Sequence, residues 1–245
     1  MRSLTVLGCD GSWAGPQGAG SGYVVEADGT AVLLDAGPGT FARLQQWGDP
    51  ATIDAVIVSH EHPDHWTDLE SFATWAGHGP QRSSYREGHP LRVYAPPGVQ
   101  RWSHYAEADW LEWHELAPSE VLTIGALQAR FVATDHGPPT LAVLLAQADA
   151  TLAYSADSGP GWSVEELGER IGTFLCEATF TAEAEGNARH LSGRQAGAMA
   201  RSAGVGRLII THRWPTVSAE AVGDEATTAF GGPLSQAHPG DVFSW

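Results

Sequence analysis

The stretch SHEHPDHW, residues 59–66, packs three histidines and two acids into eight positions. His60 and His62 stand two apart, and Asp64 and His65 follow at once. No single helix face or strand presents all four side chains to one point. A tight loop after a strand does, because its backbone curls, and Pro63 helps to set that curl. Imidazole together with carboxylate suits zinc, and also manganese or iron. One catalytic ion takes about three protein ligands and leaves a place for water. Four candidates in six residues therefore exceed one ion and imply two, with the remaining ligands drawn from elsewhere in the chain. A hydroxide between two such cations, about 3.5–4 Å apart, would be the nucleophile.

The elements that must position these groups read as short apolar runs, many ending in a residue with metal or acid–base chemistry. SLTVLGCD ends at Asp10, TAVLLDAG carries Asp35, IDAVIVSH ends at His60, ARFVATDH at His136, ATLAYSAD at Asp157, IGTFLCE at Glu177 and GRLIITH at His212. Runs of this length and composition read as buried strands. Ligands of layered α/β proteins gather beyond the carboxyl ends of strands, whereas a random scatter of His and Asp would fall mid-strand as often. His136, Asp157 and His212 are then natural suppliers of the missing ligands. His60, His62 and His136 would hold one ion, and Asp64, His65 and His212 the other. Asp157, with two carboxylate oxygens, would bridge them.

Helical segments fall between the strands at residues 66–77, 163–172, 192–204 and 218–232. Ser163 with Glu166, and Ser192 with Gln195, have capping-box spacing. Strands come first, then strands mixed with helices. That order fits a mixed-sheet sandwich covered by helices better than a uniform βαβ alternation. Residues 77–90, GHGPQRSSYREGHP, read as a long exposed loop.

Composition narrows the function classes. The formal charge is -16, with 13 arginines and no lysine. A protein that grips long nucleic acid by its phosphates shows a basic face, and nothing here supplies one. A small anionic substrate held by metal ions remains compatible. No apolar run approaches the roughly 18 residues of a membrane span. The two cysteines, Cys9 and Cys176, sit in no C-x-x-C pair and read as reduced thiols of a cytoplasmic protein. Trp102, Trp110 and Trp113, with His104 and His114, lie in a tryptophan-rich stretch that reads as packing or as a pocket for a base. His78 and His89 read as loop residues, and His238 as structural.

SHEHPDH resembles the His-x-His-x-Asp-His signature of the metallo-β-lactamase superfamily, and Asp35, His136, Asp157 and His212 continue its pattern in order along nearly the whole chain. The resemblance implies a single hydrolase domain over 1–245. Its fold would be an αββα four-layer sandwich, two mixed sheets with helices outside and two divalent ions, zinc first, at one edge. It implies that Asp35 orients a ligand rather than binding metal.

LCEATF (175–180) followed by ARHLSGRQAGAMA (188–200) resembles the ribonuclease Z-like phosphodiesterase branch, in which a Glu–His pair would be Glu177 and His190. Such a pair protonates or stabilises phosphate oxygens. Cys176 stands where that branch usually has histidine. From His136 to Asp157 is 157 − 136 = 21 residues, enough for two strands and a turn but not for the tRNA-gripping arm. The resemblance thus points to an arm-less phosphodiesterase of small substrates such as cyclic nucleotides or cyclic sugar phosphates, and to a homodimer. Ribonuclease Z-type tRNA 3′ processing and lactone or ester hydrolysis are the rival readings. The opening LGCDGSWAGPQGAGSGYVV resembles the N-terminal strand and glycine-rich loop of that group, a loop able to approach the ions closely.

Overall fold

The computed structural model describes residues 1–80 and 89–245. Its strands form two seven-stranded sheets. The first contains β1 (Arg2–Gly8), β2 (Gly22–Ala27), β3 (Thr30–Leu34), β4 (Ala55–Ile57), β5 (Leu91–Ala95) and β6 (Leu111–Glu115) in that order, with β14 (Val242–Ser244) beside β1. The second runs β7 (Val121–Ile124), β8 (Leu127–Ala133), β9 (Leu141–Gln147), β10 (Ala150–Tyr154), β11 (Thr173–Glu177), β12 (Arg207–Thr211) and β13 (Leu234–Gln236). Both are mixed. β1 to β3 are antiparallel and β3 to β6 parallel, whereas β7 to β10 are antiparallel and β10 to β13 parallel.

One core lies between the sheets, built on Leu4, Val25, Leu34, Phe131, Leu145 and Leu175. A second packs the first sheet against Leu44 and Phe72 of α1 (Thr40–Trp47) and α3 (Leu69–His78), beyond the short α2 (Pro63–Trp66). A third packs the second sheet against Ala196, Ala200, Val222 and Phe230 of α4 (Gly193–Ser202) and α5 (Ala219–Phe230). The layers are therefore αββα, as the resemblance implied. Central strands such as β3 are buried on both faces, which is why they read as continuous apolar runs rather than alternating ones.

The helices depart from the sequence reading in three places. The segment 66–77 is split in two, because Asp68 is pinned between α2 and α3. Its N–H donates to the Ala36 carbonyl and its side chain accepts from Phe41 N–H. The second piece runs past Gly77, where the Trp110 ring lies too close for any side chain, and stops at Gly79. The Ser163 capping box forms, but it opens only a 3-10 turn, Val164–Leu167, since Gly168 at φ 140° turns the chain out. α1 has no capping side chain at Gly39, so no cap signal announced it. Ser192 and Ser218 cap α4 and α5 as read. Of the expected loop, residues 81–88 lie outside the described residues, and His78 closes α3.

This topology builds one edge. β3 and β4 are parallel, so the turns after both open there. β10, β11 and β12 are mutually parallel, and β8 runs the same way because β9 is antiparallel to each of its neighbours. Six strand ends thus deliver Asp35, His60, His136, Asp157, Glu177 and His212 to a common place.

Candidate metal centre

Three of the turns are tight enough to force non-glycine residues into the left-handed region: Asp35 (φ 57°), Ala156 (φ 51°) and His212 (φ 55°). Each such residue costs on the order of 1–3 kcal/mol and persists only where its surroundings over-determine it. Here packing on both faces of each strand does so, and the turns present His212 and, next to Ala156, Asp157 to the centre with Asp35 behind them. Pro63 opens α2 at its first turn, which swings Asp64 and His65 to the side of His60 and His62.

Two main sets of donors are joined by one carboxylate, and a third grouping places His190 with Asp157 and His212. The ligand atoms of His60, His62, His136 and Asp157 lie within 4.8 Å of one another, and so do those of Asp64, His65 and His212. Asp157 is 2% exposed and faces both sets. Its Oδ1 lies 3.2 Å from Nε2 of His65 and of His212, and its Oδ2 lies 3.5 Å from His60 Nε2 and 3.7 Å from His136 Nε2. The division read from the sequence is the one the structure brings together.

Hydrogen bonds behind the histidines decide which nitrogen faces inward. The Ser59 hydroxyl donates to Asp35 Oδ2, so it can only accept from His60 Nδ1, 3.0 Å away. The Thr179 hydroxyl donates to Glu177 Oε2, so it accepts from His212 Nδ1 at 3.1 Å. His65 Nδ1 donates to Asp35 Oδ2 at 2.7 Å, and His136 Nδ1 to the Arg189 carbonyl at 3.0 Å. In each case Nε2 is left with a lone pair pointing into the centre. His65 and His212 Nε2 then face each other at 3.2 Å, and His136 Nε2 faces His62 Nδ1 at 3.2 Å. Buried His60 Nε2 and Asp157 Oδ1 have no hydrogen-bond partner. Lone pairs so close repel unless a cation lies among them. The donor set therefore fits two divalent ions.

The protonation tendencies agree at three of these histidines, and His65 is the exception. Burial holds His60, His62 and His136 below the ordinary imidazole range, and neighbouring imidazoles push the same way, so these three are neutral donors. Burial opposes charge on His65 too, yet Asp157, Asp64 and Asp35 together hold it well above that range. Burial would raise Asp64, but His65 and His212 hold it low.

Asp35 sits behind the ligands. Besides His65 it accepts from Ser59 N–H at 2.7 Å and from the Tyr154 hydroxyl at 2.7 Å, all buried. Asp35→Asn would give His65 a donor where it needs an acceptor. The expected result is about 10–100-fold weaker metal binding at the Asp64–His65–His212 set, read by titration with a competing chelator. Unchanged affinity would rule this role out.

Glu177 is fully buried at the end of β11 and accepts from Ser158 N–H, Leu191 N–H and the Thr179 hydroxyl. Its Oε1 meets His190 Nδ1 at 3.1 Å, and His190 Nδ1 lies 3.9 Å from Asp157 Oδ2. Burial opposes charge on His190, but Glu177 overrides it and raises the imidazole to about 9. Cys176, the departure from the family motif, points into the helix-side core rather than the centre.

Other candidates sit elsewhere. His238 pairs with Asp241 in an exposed turn, His114 stacks on Tyr94, and His104 lies against Tyr105. Trp110 and Trp113 pack on the first sheet's outer core. Asp10 accepts from Gly15 N–H and shapes the glycine-rich loop. The Arg213 guanidinium turns onto the carbonyls of Trp214 and Val217. The N-terminal loop does reach the centre. Ser12 N–H donates to Asp64 Oδ2 at 2.6 Å, and a side chain at Gly11 would strike His212. Glu61 stands between His60 and His62. Its carboxylate accepts from Arg101 and Trp102, tying their turn to the histidine loop, and no local pattern revealed it.

Fold and donor set define a metal-dependent hydrolase. The chain belongs to the beta-lactamase superfamily, whose domain matches residues 30–213; the family implies divalent metal ions. An uncharacterised protein of Mycobacterium tuberculosis is 37% identical, covering 94% of this chain and 88% of its own. YhfI of Bacillus subtilis, a probable metallo-hydrolase, is 27% identical over 98% of both chains. The YhfI crystal structure matches with TM-score 0.87 over 100% of this chain and 99% of that one. A ribonuclease Z of Mycobacterium marinum is 28% identical over 96% and 95%.

Proposed function

We propose that the protein is a phosphodiesterase of small substrates, such as cyclic nucleotides or cyclic sugar phosphates. The observation that carries this reading is the Glu177–His190 pair. It is a buried proton-donor pair beside Asp157 and against the His212 ring. His60, His62 and His136 would hold one divalent cation, and Asp64, His65 and His212 the second, with Asp157 between them. Zinc suits this set first, manganese or iron next. Bound there, the cations would offset phosphate charge and acidify the attacking water.

The chain's own residues do the rest. Glu177 holds His190 by Nδ1, which leaves Nε2 to meet the substrate. The imidazolium gives its proton to the leaving oxygen, or holds a phosphate oxygen as negative charge develops. Asp35, Ser59 and Thr179 keep their histidines in the tautomers that face the centre. A phosphodiester carries an anionic oxygen before attack and a lactone does not, so a buried cation here favours a phosphoryl centre.

Two features disfavour tRNA as substrate. Between His136 and Asp157 the chain forms only the β9–β10 hairpin, with no protruding arm. The charge of -16 opposes a long polyanion. The test is a side-by-side panel of bis-p-nitrophenyl phosphate, cyclic nucleotides, cyclic sugar phosphates, a lactone and pre-tRNA, with zinc or manganese. Cleavage of the small phosphodiesters is expected. Turnover of the lactone or pre-tRNA alone would refute the reading.

A further inference from the structure

Two tryptophans, Trp13 at 44% and Trp102 at 57%, stand exposed beside the candidate centre. Large apolar faces in water cost free energy unless something covers them. One face of Trp102 is already taken. The Arg101 guanidinium lies over its ring, 5.1 Å from the centroid, and both side chains are tied to Glu61.

Trp13 has no such cover, yet its backbone is held firmly. Gly11 N–H donates to the Arg213 carbonyl, Ser12 N–H to Asp64, and Ser12 takes a left-handed conformation at φ 60°. Its ring lies 5.9 Å from that of Trp214, whose N–H is used by the Ser12 hydroxyl at 3.0 Å. Behind the pair, buried Phe180 lies edge-on to Trp214 at 6.0 Å and edge-on to His190 at 6.4 Å, so the tryptophans stand one ring away from the proton donor.

We propose that Trp13 and Trp214 form a platform on which the nucleobase of the substrate stacks, so that the natural substrate is a nucleobase-bearing phosphodiester rather than a bare sugar phosphate. The inference rests on the phosphodiesterase reading. Ser12, next to Trp13 and bonded to Trp214, donates to Asp64, so a base carried by the substrate reaches the pair while its phosphate lies at the centre. With its N–H satisfied, Trp214 offers a face and no free polar edge. Stacking on such a face tolerates any base.

The test compares adenosine 5′-monophosphate with ribose 5-phosphate, which share sugar and phosphate and differ in the base, by calorimetry on zinc-loaded protein. Wild type should prefer the nucleotide by about tenfold or more, as a base–aromatic stack implies. Trp13→Ala should abolish most of that preference, and Trp102→Ala should keep it. Loss of the preference in Trp102→Ala but not in Trp13→Ala would overturn the proposal. So would equal binding of the two ligands by wild type, which leaves the phosphodiesterase reading standing. Binding of neither would sink both.

Discussion

Asp157→Asn is expected to lower bound metal from two ions per chain towards one or fewer, and to cut phosphodiester turnover on the order of 10³-fold. That exceeds the 10–100-fold expected for residues behind the ligands. The carboxylate is nearly isosteric with the amide, so packing survives. What changes is the pattern of lone pairs. Oδ1 faces His65 and His212 at 3.2 Å, and Oδ2 faces His60 at 3.5 Å and His136 at 3.7 Å. In either orientation the amide NH2 points at a pair of imidazole nitrogens and donates to their lone pairs. A proton then sits where a cation belongs, and the bridging charge is lost. Elemental analysis after gel filtration reads the metal content. Two tightly held ions with near wild-type rates would show that Asp157 does not join the two sets.

His190→Ala should cost about 10²–10⁴-fold in turnover, the usual worth of a positioned acid. Metal content should stay at two, since His190 groups only with Asp157 and His212, which the two main sets already supply. A companion variant reads the protonation itself. The His190 imidazole, 6.5 in ordinary surroundings, is held at about 9 against burial by Glu177. A general acid must be protonated, so turnover falls as pH rises through that folded value. Glu177→Gln removes the supporting charge, burial then dominates, and the alkaline limb should move to lower pH. The linked stability follows the same sign. It is fully present below about 6.5 and lost as pH climbs to about 9. An alkaline limb at the same pH in wild type and Glu177→Gln would separate His190 from the proton transfer.

Much of this was legible because metal chemistry and strand ends are local properties. SHEHPDHW needs only its own spacing to imply two ions. The apolar runs announce strands buried on both faces, and the polar residue that ends each run marks where burial stops. The same local logic misjudged the helices. The Ser163 box is chemically complete, but Gly168 ends the turn, and α1 begins at a glycine that carries no capping group. The tryptophan-rich stretch was equally ambiguous. Trp102 is in water, and Trp113 is in a core eleven positions on.

The sequence by itself determined the kinds of donor and the edge at which they gather, because side-chain chemistry and hydrophobic periodicity are carried residue by residue. Only the tertiary structure decided how they act. It set which oxygen of Asp157 faces which histidines, and that Ser59 and Thr179 turn His60 and His212 inward. It placed Glu61 under Arg101, and Trp13 on Trp214 across 201 positions of chain (214 − 13). Such contacts depend on the register and packing of two sheets. No local stretch encodes that geometry, because it arises only when distant strands share one core.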